Sequence, residues 1–469
     1  MRHGRLASAL ALAVGGLAAA QSPPLTPYNP LEPAVISGTV RAEPVPVTGT
    51  PFAIQADKPG ATAFSADEKW TATTAGTPTV TTSPLATPAA PVTTLPPTGI
   101  NTSSPVNSAP GPYAGGEFWA SIEYLSWRIH KDTAPPLVTT GPATFPAGFL
   151  GNPGTVVLFG GKLDQDTFDG VRLRAGAWLD ACRTFGVEAS YFCLPEQTNR
   201  TVFSSNQFPV LTRPFTSANT GLPNSEFLAF PGIATGSIAI ENRTKFCGAD
   251  LLGRCNVCAD CTSRLDLVAG FEYLNLEEQL SITETPTFSA TAPFPGLAGV
   301  AFVGNDTFQT RNHFYGGVVG FDATVRSGDC WVELLGSVAV GCNQQTIEIS
   351  GFQRATSPSG AVAVFPGGLL ALPGANIGRF TNNEVSVVPQ VGINLGYQLT
   401  PNCSVFAGYS VLYWTNVVRP GRQIDTVLDE SRIPNFGTTG AAAAVRPIVP
   451  FTQSDFWAQG VNVGVRFSW

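Results

Sequence analysis

The last nine residues constrain the fold of this chain more than any other stretch. From residue 461 to 469 the alternation is unbroken: Val461, Val463, Val465, Phe467 and Trp469 fall on one side, Asn462, Gly464, Arg466 and Ser468 on the other. Period-2 alternation marks a strand with one apolar and one polar face. An edge strand of a soluble β-domain would satisfy the pattern, but such a domain seldom ends on a bulky exposed aromatic. The closing strand of an outer-membrane barrel does so routinely, because its outward face meets lipid and its terminal aromatic sits in the interfacial girdle. On that reading Val465, Phe467 and Trp469 form the signal that barrel-assembly machinery recognises, and outer-membrane lipid is the other partner.

The opposite end agrees. Residues 1–5 hold two arginines and a histidine, residues 6–17 are an apolar run, and Ala18-Ala19-Ala20 is a small-residue cleavage site. Residues 1–20 therefore read as a secretory signal peptide, too short to span a membrane as a helix. Gln21 rather than a cysteine follows the expected cut, which disfavours a lipid-anchored N-terminus. Downstream, no apolar run reaches the ~18 residues that a spanning helix needs. The nearest, residues 360–372, is broken by Pro366 and three glycines. An exported chain without a membrane helix is either a soluble secreted protein or a barrel.

Composition favours the barrel. Charged residues are 13% of the chain against a usual ~25%, while the apolar content is an ordinary 43%. Low charge without long apolar runs suits strands that alternate lipid-facing and lumen-facing residues. The net charge of −7 argues against a nucleic-acid partner, because phosphate binding demands clustered Lys and Arg.

Three segments are expected. After the signal peptide, residues 21–112 read as a low-complexity tether, since stretches such as 71–98 are nearly all Thr, Ala, Pro, Val and Ser. Such a segment buries too little apolar surface to offset the entropy of ordering, and its prolines keep it extended. It is either a disordered periplasmic spacer or an unselective linker. Residues 113–469 then carry strands at 118–129, 170–181, 186–194, 237–253, 264–276, 308–325, 331–349, 384–399, 404–417 and 455–469. Short and long connections alternate, as short periplasmic turns and long outer loops require. The expected fold is all-β, an antiparallel transmembrane β-barrel of about ten strands, or roughly 12–14 if the long loops hide hairpins.

The strand faces sort by chemistry. Over residues 170–180 one side shows Val171, Leu173, Ala175, Ala177 and Leu179, and the other Arg172, Arg174, Gly176, Trp178 and Asp180. Ionisable groups are costly against lipid, so they point inward. The inward set collects Glu123, Arg172, Arg174, Glu188, Asp266, Glu272, Glu333 and Arg466, with the aromatics Trp119, Trp127, Trp178, Phe406 and Trp414. In a barrel of about ten strands the interior is barely wider than its side chains. A filled, charge-paired lumen is expected, with Arg172 and Arg174 pairing with Glu188 on the adjacent strand.

Several motifs resemble the putative beta barrel porin-7 family of outer-membrane proteins. Pro135-Pro136-Leu137-Val138-Thr139-Thr140-Gly141-Pro142 and Gly154-Thr155-Val156-Val157-Leu158-Phe159-Gly160-Gly161 are similar to its first loop. Gly408-Tyr409-Ser410-Val411-Leu412-Tyr413-Trp414, followed by Val418-Arg419-Pro420-Gly421-Arg422-Gln423-Ile424-Asp425, resembles its most recognisable motif. Asp455-Phe456-Trp457-Ala458-Gln459-Gly460 resembles its final strand. The resemblance covers roughly residues 113–469 and implies an outer-membrane barrel, with the cysteine content as a departure from the family pattern.

The nine cysteines need separate treatment. Cys255, Cys258 and Cys261 form a C-x-x-C-x-x-C run in a short turn, superficially an iron–sulfur or zinc motif. No fourth ligand stands at the expected spacing, and in an oxidising compartment thiols become disulfides; no metal or cofactor is expected. Cys193 and Cys247 fall at similar heights on strands that should be neighbours, which predicts a cross-strand disulfide, provided that both share the outward face. The motif Arg419-Pro420-Gly421-Arg422-Gln423-Ile424-Asp425 has two readings. Structurally, Pro-Gly sets a turn and an arginine pairs with Asp425 to pin the loop; functionally, the motif recognises a ligand at the outer mouth. The first is preferred. No grouping of Ser, His and Asp suggests catalysis, and the chain is not expected to be an enzyme. The expected role is structural or interactive, in the outer membrane of a Gram-negative-type cell with the tether in the periplasm. A narrow porin for small solutes is the first alternative, and an outer-membrane enzyme the second.

Overall fold

The computed structural model describes residues 118–469, except 145–146, 164–165, 261, 295 and 435–444. The expected signal peptide and tether lie outside the described residues. Ten strands form a closed antiparallel barrel. They are β1 (Phe118–Ile129), β2 (Phe168–Trp178), β3 (Phe185–Ser204), β4 (Ser237–Ala259), β5 (Ser263–Glu284), β6 (Ala301–Ser327), β7 (Cys330–Thr356), β8 (Gly378–Thr400), β9 (Cys403–Val418) and β10 (Gln453–Ser468). Each pairs with its chain neighbours, and β10 pairs with β1 to complete the ring, Val465 standing opposite both Ile122 and Val405. Closure leaves no unpaired sheet edge to meet lipid. Phe467 and Trp469 are exposed on the outward face, and Phe118 exchanges backbone hydrogen bonds with Trp469 at 3.1 and 3.0 Å.

The terminal rim carries the start of β1, the end of β10 and the short turns. Asp260 shapes the turn from β4 to β5, accepting from the backbone N–H groups of Thr262 and Ser263 at 2.7 Å each. These donors hold its carboxyl down at about 2. The outward face above this rim is apolar and exposed, with Leu265, Leu267 and Phe271 on β5 and Val319, Phe321 and Val325 on β6. This belt ends at Tyr273 and Tyr315, which are opposed in register and have ring centroids 5.1 Å apart. Beyond them the outward positions of β5 are Asn275, Glu277, Gln279 and Ser281. The apolar stretches of β5 and β6 thus match the about 9–11 residues that a tilted strand needs to cross a bilayer core. The rest of the wall rises above it.

That rise corrects the expected strand ends. β5 continues to Glu284 rather than stopping near 276, and β6 begins at Ala301 rather than 308. Once the outward face turns polar, the apolar–polar alternation that revealed the strand disappears, although the ladder continues. Hairpins do occur in the loops, but the ring stays at ten strands; Ala234–Thr235, Thr287–Phe288 and Val362–Pro366 only extend its sheet at the upper edge. Strands Thr133–Thr140, Val156–Lys162, Leu211–Ser217, Pro223–Ala229 and Val427–Leu428 form a separate five-stranded sheet. Its Leu137, Val138, Phe215 and Leu428 pack with Ile240, Leu280, Phe308 and Ile347 of the upper wall in one buried apolar cluster.

Candidate functional site

The interior is the site with the richest chemistry, and it is layered. Nearest the terminal rim lies a charged layer. Register sets Glu123 directly opposite Arg172, and their side chains pair at 3.3 Å. Arg466 meets Glu333 at 2.8 Å, and the Asn394 side-chain amide donates to the same carboxylate at 2.7 Å. Arg254 is the hub, lying 3.3 Å from Asp266, 3.7 Å from Glu188 and in contact with Asp322. The expected strand stopped at residue 253, one short of it.

The expected pairing of Arg172 with Glu188 is corrected. Glu188 stands opposite Gly176 while Arg172 stands opposite Phe192, so the two are four residues apart along the ladder. Glu123 on the other neighbouring strand is nearer to Arg172, and Glu188 turns to Arg254 and to the Trp119 indole N–H at 3.1 Å. Arg174 lines two lumen cavities of about 110 and 420 Å³; its charge acts on both Glu123 and Glu188, with no hydrogen bond to either. Glu272 accepts from the Gln390 side chain rather than from an arginine.

Above the charges the lumen is crossed by aromatic rings. Trp127, Phe192, Phe246, Phe314, Trp414 and Phe456 come from β1, β3, β4, β6, β9 and β10, and all are buried. Phe246 lies 5.1 Å from both Phe192 and Phe456, ring centroid to centroid. Trp414 lies 6.0 Å from Phe314 and 6.3 Å from Phe456. Six strands therefore send rings to one centre. The smaller cavity ends against Trp127 and Phe192, beneath this layer.

The Arg419 motif seals the next level. Arg419 turns inward, where its Nε donates to Glu278 at 2.8 Å and its Nη1 to the His130 carbonyl at 2.6 Å. Gly421 N–H donates to Asp132 at 2.8 Å, and a Cβ at Gly421 would stand 2.5 Å from the Thr133 carbonyl oxygen. Pro420 opens a short 3-10 turn, and the buried Gln423 side chain donates to the Thr452 carbonyl at 2.8 Å. An arginine does pair with Asp425, at 2.8 Å, but it is Arg446 from beyond the motif. The motif is buried and pins two loops together, which is the structural reading. Higher still, Arg213 pairs with Glu284 at 2.8 Å and with Asp306 at 2.7 Å. Asp306 also accepts from the N–H groups of Leu370 and Ala371 at 3.0 and 2.8 Å.

Cys193 and Cys247 are opposed in register and joined by a disulfide. Cys255 and Cys258 are free thiols on β4 rather than in a turn, because that strand runs on to Ala259; Cys261 lies outside the described residues. No group of three or more metal-ligating side chains occurs among the described residues.

Residues 119–469 match the family described as putative beta barrel porin-7. No curated protein matches the chain. Among solved structures, the outer membrane protease OmpT from Escherichia coli is 11% identical, with a TM-score of 0.33 over 75% of this chain and 96% of its own. The Pseudomonas putida toluene transporter TodX is 10% identical, with a TM-score of 0.14 over 76% of this chain and 90% of its own.

Proposed function

Because the chain belongs to the putative beta barrel porin-7 family, we propose that it is an outer-membrane barrel whose lumen is closed and whose role is structural or interactive. The observation that carries this reading is the aromatic layer, in which rings from six strands meet across the lumen. The exposed apolar belt gives the wall a lipid-facing zone, and the loop sheet folds over the opposite mouth as a platform for contacts. Liposome swelling tests the proposal: vesicles carrying the refolded barrel should swell in small sugars no faster than empty ones. Swelling at a porin-like rate would contradict it.

The narrow-porin reading has one observation in its favour, the polar cavity of about 420 Å³ that opens beneath the aromatic layer among Arg174, Arg254, Arg264 and Arg466. A solute entering it would still meet the rings, so conduction would require them to move. We assign no catalytic role.

A further inference from the structure

The free thiols at the terminal rim lie on two opposite sides of the barrel. We propose that they join the barrel by disulfides to further copies of this chain, side against side in the plane of the membrane. The inference rests on the envelope location proposed above.

Cys255 and Cys258 lie at the end of β4, Cys330 begins β7 and Cys403 begins β9. Their cross-strand partners are exposed apolar residues: Leu267 beside Cys255, Leu265 beside Cys258, Tyr397 beside Cys330 and Phe467 beside Cys403. Directly opposed residues share a face, so these thiols point away from the lumen. All four are free, as is Cys182 in the turn between β2 and β3. Register forbids pairing among the four within one barrel. Cys330 and Cys403 have β8 between them, a separation of at least ~9 Å, and β4 is farther round the ring. Cys255 and Cys258 are three residues apart on one extended strand, ~10 Å. A disulfide needs Cα atoms within ~7 Å.

In a ring of ten strands, β4 and β9 are diametrically opposed. Cys182 sits on the β4 side and Cys330 on the β9 side. Two copies in one bilayer, inserted the same way, hold their rims at one height. A simple translation then sets the β9 side of one against the β4 side of the next. Such a contact is heterologous and does not close on itself, so it builds rows of barrels. Each bond takes two electrons and two protons from a thiol pair. A disulfide-bearing oxidoreductase of the exported compartment accepts them by thiol–disulfide exchange and leaves as a dithiol.

The test uses the full chain in its own cells, with thiols trapped by N-ethylmaleimide before lysis. Non-reducing gels should show a ladder of multimers that dithiothreitol collapses to monomer. Peptide mapping should link Cys330 or Cys403 to Cys182, Cys255 or Cys258. A further free thiol, Cys342, is exposed on β7 opposite Tyr315, so the variant Cys330→Ser/Cys342→Ser/Cys403→Ser keeps thiols on one side only and should lose every band above the dimer. Heat-modifiable migration of the reduced monomer reports the barrel separately. A heat-modifiable monomer whose rim cysteines all carry the maleimide overturns the proposal, as do bridges within one chain or to a different protein. Absence of any heat-modifiable form would overturn the envelope reading and this inference with it.

Discussion

Arg254 shows how much one side chain can hold in the barrel interior. Three carboxylates, Glu188, Asp266 and Asp322, contact its guanidinium; Asp266 keeps Arg264 at 2.9 Å, but without Arg254 the buried Glu188 and Asp322 lose their ion-pair partner. Arg254→Ala should therefore cost about 3–5 kcal/mol, the range for breaking a buried pair, read as a fall in the unfolding midpoint of the detergent-solubilised barrel. Arg254→Lys should recover part of it; an unchanged midpoint in both would refute the hub. Glu226, in the loop sheet, gives a pH dependence of definite sign. Burial, and after it the Glu284 carboxylate, push its carboxyl well above the usual carboxylate range, so folding takes up a proton there. Its stabilising contribution is complete below the ordinary carboxylate pKa and is lost as pH rises through the raised value. Glu226→Gln should make the loop sheet more resistant to proteolysis than the wild type at neutral pH, and the advantage should vanish near pH ~4.

At the level of elements, the loops are locked where backbones approach most closely. Gly421 allows the Arg419 turn to lie on Thr133, and the Gly421→Ala methyl should force the two apart. Faster cleavage of the segments around residues 132 and 421, with the barrel still heat-modifiable, is the expected result. Deleting residues 467–469 should do the reverse, abolishing insertion while leaving export intact, because Phe467 and Trp469 stand on the outward face of the closing strand. Much of the barrel was legible in advance because lipid imposes strict alternation, as in residues 461–469 and 170–180. The outward strand extensions were not, since Asn275, Glu277 and Gln279 face water and no longer contrast with the inner face. The inward charges could be named from alternation, but their partners could not. Pairing depends on stagger between strands, and a four-residue offset sent Glu188 to Arg254 instead of Arg172. The loop sheet was hidden for another reason: its apolar residues pack across long connections and leave no local period.

On the proposed reading, the barrel of residues 118–469 is closed twice above its charged layer, by aromatic rings and by the loops that Arg419 and Arg213 anchor. Each seal is built from a different part of the chain, so closure does not depend on any single contact. On this reading no water path crosses the lumen. Single-channel recording of the refolded full-length barrel in planar bilayers tests this most directly. Insertion should give no steady open current, while Trp414→Ala/Phe456→Ala with the loop segment 420–434 removed should give openings. Long-lived, uniform conductance steps from the unaltered protein would contradict the account.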